Sequence, residues 1–337
     1  MTIKDIAKLC GVSVTTVSRV LNNHPDVSRE NREKVLAVIK QTNFIPNNSA
    51  RSLVKTTSDN IGVLVRGISN PFYTDIIRAM EERIHARGYT MVMQQIESSD
   101  DELALGAMME RDKRLRGIIF LGGRSDYSPE NISALNVPFV CCTYGNQYGT
   151  LPRDRYSSVS IADENAAYYA VMELYRAGHH RIAALICQPD DQSISQLRYQ
   201  GYRKALADCG LIADEALRIC ADTYDIRDAY TAVANWLETA PDFDALFCIS
   251  DMMAIGAMRA LRENGRSIPG DCSVIAIDGL DITDYTSPRL TTYCQPMKQI
   301  GQHSVDILLN LLEGKGEHRQ EILLTSLRKG ESVKGLK

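Results

Sequence analysis

One short stretch carries side chains suited to reading a nucleic acid. In Val14-Thr15-Thr16-Val17-Ser18-Arg19-Val20-Leu21 the apolar residues Val17, Val20 and Leu21 recur at helical spacing, which leaves Val14, Thr15, Ser18 and Arg19 on the outward face. A valine at the start of such a helix can touch a thymine methyl. Thr15 and Thr16 can reach base edges or phosphate, and Arg19 can pair with both O6 and N7 of a guanine. The competing interpretation is a solvated face on a small helical bundle.

Reading a groove requires a helix that protrudes, and the flanking sequence supplies the corner. Thr2 is placed to cap a first helix over residues 3–10, with Ile3, Ile6, Ala7 and Cys10 as its apolar stripe. Gly11 suits the left-handed conformation that stops a helix, and Ser13 caps the next after a three-residue turn. Small Ala7 lets the two helices cross, and Val17 locks the second against the first. This is the geometry of a helix-turn-helix. A third helix, capped by Ser28, carries Val35, Ile39 and Phe44 inward and Arg29, Arg32 and Lys34 outward. Pro46 stops it. The segment from Asn47 to Lys55 is too short for a helix that stands alone in water, so it should order only against a partner, and polar Thr56-Thr57-Ser58-Asp59 follow. Within it Ala50 permits close approach, and Arg51 and Lys55 can meet phosphates.

Charge agrees with this division. The 337 residues hold 38 Lys/Arg against 42 Asp/Glu, a net of −4, but residues 1–58 contain nine basic and four acidic side chains, a net of +5, leaving −9 for the remainder. A basic head on an acidic body suits a polyanion partner. With 44% hydrophobic and 24% charged residues the chain is an ordinary globular one of two or three domains, not a disordered or collagenous one. Nine scattered cysteines without a C-x-x-C pair point to reduced thiols rather than bridges or zinc. Met1-Thr2-Ile3-Lys4-Asp5 puts an acid where a signal peptide would turn apolar, and no run suits a membrane span, so a cytoplasmic location and no membrane partner are expected.

Thr2-Ile3-Lys4-Asp5-Ile6-Ala7, Gly11-Val12-Ser13, Thr16-Val17-Ser18-Arg19-Val20-Leu21-Asn22 and Phe44-Ile45-Pro46-Asn47 together resemble the start of the LacI/GalR family of bacterial repressors. The resemblance implies a DNA-binding domain over 1–46 in which Asn22 joins Val14, Thr15, Thr16, Ser18 and Arg19. It also implies a hinge helix and linker over 47–59 whose Leu53 wedges into the minor groove beside a dimer mate, and an effector-binding body over 60–337. Wedging unstacks a base step and is offset by the bent duplex touching more protein.

From Ile61 onward β-rich runs alternate with helix-sized stretches: 61–65, 90–93, 117–121 and 137–141, then a second series from about Val159 that includes 181–186, 245–249 and 273–277. This alternation implies βαβ units and two α/β lobes with parallel sheets, and a ligand cleft between lobes at the strand ends. The body resembles the periplasmic sugar-binding-protein fold. By that resemblance the chain crosses between lobes near 159–163, 289–293 and 319–323, giving a first lobe of about 60–159 and 293–319 and a second of about 163–289 and 323–337. Aromatic Phe72 and Tyr73 follow the first strand and could stack on a flat or sugar-ring ligand. Arg198 matches a family arginine in the cleft and Asp278 a carboxylate that ends a strand. Together they would chelate adjacent hydroxyls, or else simply form a buried ion pair. Ser250 stands where sugar-responsive members often carry Asn, and Tyr224 would give a second aromatic wall. Asp251 reads mainly as a helix N-cap. Gln192 and Ile194 replace the Arg and Thr of the purine-responsive member, which disfavours a purine effector.

Rival chemistry is thin. No nucleotide-binding, nucleophile-elbow or zinc-protease motif occurs, His179-His180 reads as a turn pair, and Asp190-Asp191 as solvated loop acids. No cofactor, metal or catalytic residue is expected, and a cytoplasmic α/β enzyme or a solute-binding receptor remain the alternatives. The expectation is a homodimeric repressor, without a tetramerising tail, that binds double-stranded operator DNA under control of a small molecule, a sugar or sugar derivative.

Overall fold

The computed structural model describes residues 1–21, 24–42, 58–67, 69–97, 100–187 and 192–335. Asn22, Phe44, Ala50, Arg51, Leu53, Lys55 and Asp190-Asp191 lie outside the described residues, and with them the expected hinge helix. The chain divides into two units, Met1–Ser58 and Asp59–Lys337.

The first unit holds α1 (Ile3–Cys10), α2 (Val14–Leu21) and α3 (Arg29–Thr42). Its start is closed by a capping box in which Thr2 accepts from the Asp5 amide while the Asp5 carboxylate accepts from Thr2 N at 2.7 Å. Gly11 ends α1 at φ 64°, a conformation that costs a β-carbon-bearing residue energy. Ile6, Ala7, Cys10, Val17, Val20 and Val35 form the core. Leu21 and Ile39 are only half-buried at its rim, because a three-helix unit this small has too little interior to cover a wide stripe. Arg32, expected to face outward, folds back instead, donating to the His24 carbonyl at 2.6 Å.

The second unit is a pair of α/β lobes. The first sheet has the order β11-β5-β4-β3-β1-β2, with β1 (Asn60–Arg66), β2 (Thr90–Ile96), β3 (Leu115–Leu121), β4 (Phe139–Cys142), β5 (Ser157–Ile161) and β11 (Gln320–Leu323) all parallel. The second has the order β12-β10-β9-β8-β6-β7, with β6 (Ile182–Ile186), β7 (Arg218–Cys220), β8 (Ala245–Cys248), β9 (Ser273–Asp278) and β10 (Thr291–Cys294) parallel. Only β12 (Ser326–Arg328) runs antiparallel, on β10. The helices are α4 (Phe72–Ala86), α5 (Glu102–Lys113), α6 (Asp163–Arg176), α7 (Ile194–Asp208), α8 (Ile226–Leu237), α9 (Asp251–Glu263) and α10 (Met297–Leu312). The inner strands of both sheets are buried on both faces, which explains why they read as near-continuous apolar runs.

Strand pairing keeps the first expected crossing and moves the other two. The second series was expected from about Val159, yet β5 pairs with β4 and belongs to the first sheet; the first crossing falls at Ala162, within the expected 159–163. β10 pairs with β9, which places the second crossing after it, at Gln295-Pro296 rather than 289–293. β11 pairs with β5 and β12 with β10, so the third falls at 324–325.

Candidate functional site

The reading face is set by the buried side of α2. With Val17 and Val20 in the core, Thr15 and Arg19 are exposed and Val14 is 40% exposed, an uncovered aliphatic at the helix start. Ser18 is half-buried. Thr16 has a local role as well. Its hydroxyl lies 2.8 Å from the Ser13 hydroxyl, and its amide donates to that same oxygen at 3.0 Å, so it completes the cap that starts α2.

In the body the strand ends bring distant residues into one buried network. Arg198, on α7, donates through Nε to Asp163 at 2.8 Å and through Nη1 to the Ile249 carbonyl at 2.5 Å and to Asp278 at 3.4 Å. Asp278 ends β9 and also accepts from Gln295 Nε2 at 2.8 Å. Asp251, at the start of α9, accepts from the amides of Gly279 at 2.8 Å and Leu280 at 2.7 Å and from the Thr292 hydroxyl at 2.6 Å. Two carboxyls, those of Asp163 and Asp278, therefore contact one buried guanidinium, and Asp251 is tied to Asp278 through its own amide. Burial opposes the charge of Arg198, but Asp163 and Asp278 outweigh it and hold the arginine ionised. Burial pushes the Asp251 carboxyl up to about 8, helped by the charge of Asp278, and Asp278 up to about 6 against the pull of Arg198.

Tyr73, in the first lobe, lies within electrostatic range of this network. It is half-buried, its hydroxyl lies where a side chain at Gly122 would stand, and the charges of Asp278 and Arg198 both act on it, while burial pushes its phenol up. Tyr224 is half-buried and its phenol acts electrostatically on Arg198. Phe72 does not join them. It is 6% exposed and packs in the core with Ile76 and Met80, because Phe72, Ile76, Met80 and Ile84 form the buried stripe of α4. Ser250 is buried and its hydroxyl accepts from Met253 N at 3.3 Å, so it is Ser250, not Asp251, that N-caps α9. Asp163 and Gln295 escaped the sequence reading. Their only local signals were an acid opening a helix and a polar residue before Pro296.

The first lobe has its own buried ion pair, Arg66 with Glu102, which also accepts from Tyr127 Oη at 2.7 Å. His179 lies 3.4 Å from Asp244, and His180 is exposed. Among the described residues no cluster of three His, Cys, Asp or Glu side chains is placed to hold a metal, and all nine cysteines are free.

Residues 2–47 match the bacterial regulatory proteins of the lacI family, and residues 171–333 match the periplasmic binding protein-like domain. Over 336 residues the chain is 40% identical to the HTH-type transcriptional regulator MalR of Clostridium butyricum, covering 98% of this chain and 99% of that protein. The chain belongs to the LacI family. Among solved structures the lac repressor dimer bound to operator and the anti-inducer ONPF aligns with a TM-score of 0.84 at 27% identity, covering 99% of both chains. A complex of the transcriptional regulator CelR with cellobiose aligns at 0.73 and 29% identity, covering 98% of this chain and 99% of that one. As a LacI-family member the chain is a DNA-binding transcriptional regulator whose body binds a small-molecule effector. No described helix is long and apolar enough to cross a membrane.

Proposed function

We propose that this regulator acts as a homodimeric repressor in the cytoplasm, binding a roughly palindromic operator through paired α2 helices and releasing or gripping it as a sugar occupies the body. Two-fold symmetry doubles the few bases one short helix reads. The observation that carries the effector assignment is the convergence of Arg198 and Asp278, with Tyr73 and Tyr224 within electrostatic range of them. A guanidinium and a carboxylate side by side offer donors and acceptors to vicinal hydroxyls, and the two phenols offer ring faces. In the effector-bound state a ligand hydroxyl replaces or joins Gln295 on Asp278, next to the second crossing. The CelR–cellobiose complex supports a carbohydrate. Such a ligand works only through its differential affinity for two arrangements of the protein. The fold on its own would also suit an enzyme or a solute receptor, but the helix-turn-helix and the family favour regulation.

Two measurements test this. Thermal-shift screening of the full chain against ribose, cellobiose, sugar phosphates and nucleobases should show a rise with a sugar. A nucleobase that shifts the protein while every sugar leaves it unmoved would overturn the carbohydrate assignment. In an operator library, Arg19→Ala should relax preference at one position per half-site by about 1–3 kcal/mol, and unchanged specificity would remove Arg19 from the reading face.

A further inference from the structure

The effector site depends on Asp278, and that residue has a strained backbone. Its φ is 141°, in a region that glycine favours, and Gly279 follows at 83°. Such a conformation persists only where the surroundings over-determine it. The surroundings that do so belong to another element. Asp251, fully buried at the start of α9, accepts from the two amides directly after Asp278, at 2.8 and 2.7 Å. Its own amide donates back to the Asp278 carboxylate at 3.4 Å.

We propose that Asp251 is the positioning residue of the effector site: its carboxyl clamps the turn after β9 and so aims the Asp278 carboxylate at Arg198 and Gln295. This rests on reading Asp278 as an effector contact. The capping duty that the sequence suggested for Asp251 is already filled by Ser250, which leaves the carboxyl free for the clamp. Its remaining oxygen accepts from Thr292, on β10 three residues before Gln295, so the clamp joins α9, β9 and the strand that leads into the second crossing. A carboxyl here also stays buried beside Asp278 although both burial and that neighbour oppose its charge. A side chain serving only to fill space would be apolar.

The test is hydrogen–deuterium exchange of the full-length chain, read at the amides of Gly279 and Leu280. Asp251→Ala, which removes the acceptor of both amides, should speed their exchange by about ten-fold or more, and Thr292→Val, which removes one partner of the clamp, by less. Thr283→Val is the structural control: it deletes a fully buried hydroxyl that donates to the Leu280 carbonyl at 2.7 Å, in the same loop but on the other side of the peptide. It should lower Tm without exposing those amides. Unchanged exchange in Asp251→Ala, or an equal rise in Thr283→Val, overturns the clamp. In parallel titrations with ribose and cellobiose, a probe bound by the wild-type protein should bind Asp251→Ala about ten-fold or more weakly, with Asp251→Glu failing to restore it. Should the wild-type protein bind neither sugar, the carbohydrate reading fails while the exchange measurement still decides the clamp.

Discussion

Arg198 illustrates how a buried charge ties stability to function. Its guanidinium satisfies Asp163, Asp278 and the Ile249 carbonyl at once, so truncation to Ala strands two buried carboxyls. Arg198→Ala should therefore lower unfolding free energy by about 3–5 kcal/mol, measured by urea denaturation, which confounds its use as a binding mutant. Arg198→Lys keeps the charge but not the fork, and is the better probe. It should abolish the effector response while operator binding without effector persists, and retained effector affinity would move the pocket elsewhere. The carboxyl pair adds a pH signature. Asp251 and Asp278 are raised above the ordinary carboxyl range, to about 8 and about 6, so the folded protein binds protons that the unfolded chain has released. The stability that this proton binding contributes is full in acid and is lost as pH rises through those two values. Melting temperature should fall between about pH 4 and pH 8, and Asp251→Asn should flatten the part of that decline above about pH 6. A wild-type Tm that is level or rising over that span would contradict the raised carboxyls.

At the scale of elements, close approach of helices sets the site's dimensions. Gly201, on α7 one turn from Arg198, faces the Glu164 carbonyl of α6, and a β-carbon there would stand 2.1 Å from that oxygen. Asp163 is the first residue of α6, so this contact holds the Arg198–Asp163 bond at its length. Gly201→Ala must push the two helices apart. It should cost about 1–3 kcal/mol and weaken effector binding without touching the ligand, checked by denaturation and titration side by side. In the headpiece, Gly11→Ala imposes a left-handed conformation on a residue with a β-carbon and should cost about 1 kcal/mol, read from the melting of the first unit. These elements were largely legible in the sequence, because caps, turns and apolar stripes act within one or two helical turns. The stripe of α2 and the caps at Thr2 and Ser13 stand where spacing put them, whereas the helical pattern of α4, also present in the sequence, went unread. That last pattern, read through, would have placed Phe72 in the core.

For the whole molecule, two units with separate cores should respond separately to ligand. An effector at about one hundred times its Kd should stabilise the body by about 2.7 kcal/mol and leave the headpiece transition in place; a scan that moved both equally would mean the units melt as one. The sequence by itself determined the helix-turn-helix, the alternation of strands and helices, and hence the two-part architecture and the family. Each of those rests on local spacing and on side-chain chemistry readable along a few residues. Only the tertiary structure decided the membership of β10 and β11, since parallel strands pair across long crossovers and neither edge announces its neighbour. The same holds for the site. Arg198 meets Asp163 from 35 residues away, Ile249 from 51 and Asp278 from 80, and no periodicity encodes such separations. The chain's local chemistry nominated the arginine and the carboxylate, and sheet packing supplied the second carboxyl, the glutamine and the clamp that hold them together.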